Sequence, residues 1–204
     1  MKDTHQEDLM HIRSMMERSS RFISLSGLSG IFAGTFALIG SVYVYYLFEK
    51  RGIAYFDSKE VSYSLDFIME LAFIGGSILV LGLVSGIFFT YRKSKKLNIP
   101  IWTNTTKKLI INLILPLTVG GVFCVALLYH NLLALIAPST LLFYGLALIN
   151  AEKYTFSDIK YLGFCEIILG CVSLFYLGKG LIFWGIGFGV LHILYGLIMF
   201  KKYK

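Results

Sequence analysis

Apolar residues run along this chain in six long, nearly unbroken stretches, with polar residues confined to the gaps. The stretches cover residues 22–48, 67–90, 109–129, 132–149, 161–177 and 181–200. A helix that crosses a bilayer needs about 20 predominantly apolar residues. The first stretch exceeds that need; the fourth and fifth lie near its short limit. Barrel strands would alternate apolar and polar positions over about ten residues, and lipid requires each backbone polar group to be satisfied internally. The pattern therefore predicts an all-α polytopic membrane bundle of six transmembrane helices. A re-entrant fifth segment is the main threat to that count.

The gaps give the bundle a direction. Lys and Arg concentrate in cytoplasmic loops. With the N-terminus inside, 15 of the 19 cations fall on the cytoplasmic side, and only Lys50, Arg51, Lys59 and Lys179 fall outside. Both termini are expected in the cytoplasm. The same flanking residues account for the net charge of +7 and the pI near 9.3. They suit anionic lipid headgroups, so nucleic acid is not expected as a partner. No cleavable signal peptide is expected, because the first 21 residues are polar and the following run is too long for a signal h-region. The first span reads as an uncleaved signal anchor.

Residues 1–21 form a cytoplasmic N-terminal segment and residues 22–204 one transmembrane domain. Within 6–21, Leu9, Ile12 and Met16 share one helical face, with Met15 beside them, and Glu7, Asp8, Arg13 and Glu17 lie elsewhere. That spacing predicts an amphipathic helix. Its Met-rich face reads either as a docking surface for a cytoplasmic protein or as a helix lying in the membrane interface. His130–Asn131 joins the third and fourth spans, and Gly178–Gly180 joins the fifth and sixth. Such short links predict antiparallel neighbours.

Chemistry centres on Glu166 and His192. Ionisable residues within spans are costly and usually face protein or water. Each lies thirteen residues from Lys179 in the last hairpin, which predicts equal depth and a meeting either directly or through one water. Gly163 and Gly170 share a face with Glu166, and Gly189 and Gly196 share one with His192. Small residues let transmembrane helices approach closely, so these two stripes are expected to pack against each other. The pair reads as a structural hydrogen bond or as a proton site. No further titratable residue in the core extends it. Gly30 and Gly34, and Gly82 and Gly86, supply further helix-packing stripes.

Lesser features carry weaker signals. Asp66 and Glu70 form an acidic pair that reads as helix-dipole matching rather than a cation site. Asn112 and Asn150 are placed to bond across the third and fourth spans, and Pro116 and Pro138 to kink them. Cys124, Cys165 and Cys171 are expected as buried free cysteines. No Walker A, His-Glu-x-x-His or Cys-x-x-Cys pattern occurs; accordingly no cofactor, metal or catalytic residue is expected.

Gly27-Leu28-Ser29-Gly30 resembles the Gly-x-Ser-Gly segment of rhomboid intramembrane proteases, and His192 with Gly196 echoes their histidine helix. That resemblance implies a Ser29–His192 catalytic pair. However, the family carries its serine on the fourth core helix, parallel to the histidine helix, whereas Ser29 lies on the first span. Residues 12–21 running into the Gly/Ser-rich first span, and Phe183-Trp184-Gly185-Ile186-Gly187-Phe188-Gly189 near the end, resemble a group of small, uncharacterised integral membrane proteins of Bacteroidota-type bacteria. This resemblance implies a bacterial inner membrane and no particular activity. Three readings follow: a sensing, scaffolding or regulatory bundle acting through its N-terminal helix; a small-solute or proton-coupled carrier using Glu166 and His192; and an intramembrane enzyme. The first is preferred on the sequence, for its exposed Met-rich helix and basic flanks.

Overall fold

A computed structural model describes residues 26–55 and 63–203. The amphipathic segment 6–21 lies outside the described residues. Among those described, 87% are helical and none forms a strand. Helix α1 (Gly27–Arg51) stops at Gly52, whose left-handed φ of 62° lets its N–H bond Glu49 O and Phe48 O; glycine reaches that conformation without a Cβ clash. Helix α2 (Leu65–Leu97) is capped by the Ser64 hydroxyl, which accepts from Phe67 N. Its 33 residues span ~50 Å at ~1.5 Å each, so it projects beyond a ~30 Å hydrocarbon core. Helix α3 (Asn104–Tyr129) is capped by Thr103. Helix α4 (Leu133–Tyr154) has an α-helical centre, Ile136–Ala151, between two 3-10 turns. Helix α5 (Ile159–Phe175) has 17 residues, and α6 (Leu177–Lys202) closes the bundle.

Five of these helices, all but α5, are long and apolar enough to cross a membrane. The chain thus has the makeup of a multi-pass membrane protein. The fifth apolar stretch forms a shorter helix, bounded by the turn ending at Asp158 and by the 3-10 turn Leu177–Lys179.

The packing departs from the sequence reading. Gly163 and Gly170 do not face Gly189 and Gly196. A Cβ on Gly163 would lie 2.9 Å from Gly145 O, and one on Gly170 would lie 2.8 Å from Leu142 Cγ, so α5 presses on α4. A Cβ on Gly196 would lie 2.6 Å from Gly27 O, and one on Gly34 would lie 2.6 Å from Gly189 O. Gly30 likewise sits against Gly196, so α6 presses on α1. The physical reason is that each stripe finds a close partner on a third helix: Gly163 meets Gly145 and Gly170 meets Leu142 on α4, while Gly196 meets Gly27 and Gly189 meets Leu38 on α1. Of the α2 glycines, Gly82 comes near only Ala33 Cβ, at 3.8 Å, and Gly86 has nothing within 4 Å among the described residues. Neither forms a tight helix contact.

Pro116 lies inside α3. Pro138 lies in the first turn of Ile136–Ala151, just after the 3-10 turn Leu133–Leu135. Cys165 and Cys171 are exposed on the bundle surface and Cys124 is half-buried, so the expected burial of all three does not hold. The helical stripe facing α4 is instead taken by Leu162, Gly163, Glu166 and Gly170.

Two clasps hold the ends. At one, Phe48 and the fully buried Phe67 meet edge-on at 5.0 Å, Leu133 joins them, and Arg51 pairs with Glu70. At the other, Lys202 Nζ donates to both Asp158 oxygens, at 2.7 and 3.0 Å, and Tyr203 O–H donates to Asp158 Oδ2 at 2.8 Å. Gly27 lies beside Phe200, so the described chain begins and finishes at this second end.

Candidate functional site

Glu166 projects from the middle of α5 and is fully buried; His192, on α6, is 7% exposed. Carboxylate Oε1 lies 3.4 Å from ring Nδ1. The two arms of equal length do bring them to one depth, although the separation exceeds the range of a good N–H···O bond. Nδ1 lies closer to Gly187 O, at 3.0 Å, and Nε2 lies 2.8 Å from the Tyr144 hydroxyl. A carbonyl can only accept, so Nδ1 carries the hydrogen facing Gly187. In the neutral ring Nε2 then accepts, and Tyr144 O–H donates to it. This tautomer is assigned from the network.

Neither Glu166 oxygen has a hydrogen-bond partner among the described residues. The side chain is wedged instead. A Cβ on Gly187 would lie 2.5 Å from Glu166 Oε2 and 2.5 Å from Leu141 Cδ2. Both neighbours are fully buried, so only glycine fits there. Gly187 belongs to a π-helical stretch, Gly185–Leu191, in the middle of α6. Such stretches are rare and recur at functional sites. Here the wider turn ends at His192, and the ring bonds back five residues to Gly187. Phe188 stacks on the imidazole with 5.8 Å between centroids and lies 5.0 Å from the Tyr144 ring.

Tyr144, on α4, corrects the expectation that no further titratable residue extends the pair: it is the third member of an acid–imidazole–phenol line. A phenol in the middle of an apolar span was the available signal, because a buried Tyr O–H usually finds a partner. The Gly185-x-Gly187-x-Gly189 spacing was the signal for the wedge position. A cavity of about 140 Å³ adjoins the line. His192, Tyr144 and Tyr195 line it, with Ser29 on α1 and Gly82 and Gly86 on α2. Glu166 does not.

The remaining candidates separate. Ser29 Oγ donates to Ser26 O, and both His192 nitrogens are occupied by Gly187 and Tyr144. The two side chains share the cavity wall without forming a nucleophile–base pair. Asp66 is exposed and Glu70 is drawn to Arg51, so the acidic pair does not converge. Asn150 Nδ2 donates to Asn112 O at 2.8 Å: the cross-span bond forms with a backbone carbonyl. Among the described residues no group of three His, Cys, Asp or Glu side chains converges as a metal site would. Compared with protein-family models, with curated proteins and with solved structures, the chain matches none.

Proposed function

We propose that this protein is a proton-coupled carrier of small solutes. The observation that carries this reading is the placement of Glu166, fully buried, with neither oxygen hydrogen-bonded among the described residues and 3.4 Å from an imidazole whose far nitrogen meets the phenol of a cavity-lining tyrosine. A pair that only locked the hairpin would sit within hydrogen-bond range, and at 3.4 Å this one does not. A carboxyl that balances a ring gaining and losing a proton has reason to stand beside that ring free of other partners.

The line has a direction. A proton arriving from the cavity side is taken up at Nε2, the acceptor of the neutral ring. Tyr144 then turns from donor to acceptor, and the Glu166 carboxylate stands beside the imidazolium as its counter-ion. An acid orienting and balancing a ring that exchanges a proton with a hydroxyl is a recurring chemical arrangement. Because Tyr144 also lines the cavity, ring protonation and cavity occupancy meet at one residue, which is the physical basis of coupling.

Within the same proposal the protein spans a bacterial inner membrane six times, with both termini in the cytoplasm and anionic headgroups at its basic flanks. The 15-to-4 distribution of cations supports this orientation. Gly27 beside Phe200 supports an even number of crossings, which requires α5 as the sixth; its 17 residues are within the spanning range of about 17–25. The regulatory or scaffolding reading rests on residues 6–21, outside the described residues.

The test is electrophysiology on a solid-supported membrane. Proteoliposomes are challenged with a panel of small organic solutes, with and without a pH gradient. Wild-type protein should give solute-dependent currents that the gradient drives. Glu166→Gln keeps size and hydrogen-bonding capacity, so it should retain the fold and lose the gradient-driven current. Undiminished current in that variant would sink the reading.

A further inference from the structure

We propose that the Tyr195 hydroxyl passes protons between Tyr144 and the Asp158–Tyr203 clasp, joining the buried line to the end of the bundle where the described chain begins and finishes. The inference deepens the carrier reading and rests on it for its purpose, the delivery of a proton to His192. Helix geometry places the group. His192, Tyr195 and Met199 follow at i, i+3 and i+7 on α6, so they share one face. Tyr195 thus stands one turn nearer the clasp than His192 does. Packing places it across the bundle. Tyr144 and Tyr195 both rest on the cluster of Leu148, Ile159 and Leu162, and Ile159 directly follows Asp158. Asp158 and Tyr203 act electrostatically on Tyr195, and Tyr195 acts on Tyr144.

Hydrogen bonding then singles the group out. The Tyr195 hydroxyl oxygen is buried and has no partner among the described residues. Its polar neighbours are committed. Tyr144 O–H donates to Nε2, and Asp158 accepts from Lys202 and Tyr203. Buried hydroxyls are nearly always bonded, to protein or to ordered water. A buried water typically makes about three hydrogen bonds to such leftover groups, and the Tyr144 and Asp158 oxygens keep lone pairs that accept. One water on each side of Tyr195 completes a chain. In a transfer, the water beside Asp158 gives a hydrogen to Tyr195. Tyr195 gives its own, through the second water, to Tyr144, and Tyr144 gives its own to Nε2. Every oxygen gives one hydrogen and takes one, so no phenol ionises. The net change is one proton moved from solvent at the clasp, where Lys202 is exposed, to the imidazole, with the Glu166 carboxylate as its counter-ion.

The test follows deuterium exchange at the His192 ring nitrogens, by NMR of isotope-labelled histidine in the full-length protein in lipid nanodiscs. The chain has four histidines, and His192→Gln assigns the signal. Wild-type protein should exchange the ring hydrogen. Tyr195→Phe removes only the hydroxyl and should slow the exchange by roughly 100-fold, the lower end of what a positioned proton-transfer group contributes. It should leave the thermal midpoint unchanged, because no protein hydrogen bond is lost. Tyr129→Phe, an exposed phenol at the opposite end of the bundle, should change neither. Undiminished exchange in Tyr195→Phe would overturn the inference, as would a His192 ring hydrogen that never exchanges in wild type. Slowed exchange accompanied by a lowered midpoint would also overturn it, by making the hydroxyl structural. Because exchange is read without solute or gradient, exchange slowed by Tyr195→Phe with no wild-type solute currents would sink the carrier reading alone. Gradient-driven currents undiminished in Tyr195→Phe would sink this inference alone.

Discussion

Replacing Gly196 with Ala tests the α1–α6 contact that places His192. The added Cβ would lie 2.6 Å from Gly27 O and 2.7 Å from Ile31 N, with Ile31 Cγ1 at 2.9 Å. The two closest atoms are backbone, so no rotamer change relieves them. Ordinary contact begins near 3.4 Å, so the helices must part by roughly 0.8 Å at this point. A radial gap of about 0.5–1 Å forfeits a quarter to a half of each dispersion well it opens, and overpacking typically costs about 1–3 kcal/mol. The upper end applies here, because the strain spreads along two rigid helices in contact from Gly27 to Leu38. At about 2–4 °C per kcal/mol for a chain of this size, the midpoint should fall by roughly 6–12 °C. Gly86→Ala makes the same chemical change where the Cβ meets nothing within 4 Å. It shares the effect on the unfolded chain and gains helix propensity of up to about 1 kcal/mol. It should leave the midpoint unchanged or slightly raised. The assay is soluble protein remaining after heating, by fluorescence-detected gel filtration in a single detergent. Equal shifts for the two variants would refute the reasoning, since the argument rests on what each Cβ meets.

Other outcomes follow from the same geometry. Asn150→Ala removes the 2.8 Å bond to Asn112 O and should cost about 0.6 kcal/mol, at most ~2, read in the same heating assay; no shift would mean the bond contributes nothing. Asp158 is held below the ordinary carboxylate range, chiefly by the hydrogen bond from Lys202. A folded value below the unfolded one means its stabilisation is present above the usual carboxylate value of 3.8 and is lost as pH falls through the depressed folded value. Stability against pH should therefore drop on the acid limb in wild type, with part of that drop missing in Asp158→Asn. Tyr144→Phe removes the hydroxyl that meets Nε2 and should abolish gradient-driven currents while lowering stability by about 1 kcal/mol; retained coupling would exclude the phenol from the proton path. Reporter fusions active only in the cytoplasm should work at both termini, and periplasmic activity at either would overturn the proposed topology.

Membrane residence and all-helical structure were legible in the sequence because lipid leaves the backbone so few options. A continuous apolar run must satisfy its own hydrogen bonds, and only a helix does so within one segment. The depth of Glu166 and His192 was legible for a similar reason: thirteen residues on either side of Lys179, at a fixed rise per residue, measure the same distance along a hairpin. Facing was not legible. Gly163, Gly170, Gly189 and Gly196 announce close approach, but a small-residue stripe accepts any backbone that fits. Which helix fills it depends on segments distant in sequence, and here α4 and α1 did so. Tyr144 joined the site for the same reason, because its hydroxyl reaches His192 only once α4 has packed beside α5. The wedge at Gly187 likewise exists only where α4, α5 and α6 converge. Local chemistry thus determined which elements form and how far along them each polar group lies. The competition among helix faces for close backbone contact decided which of those groups meet.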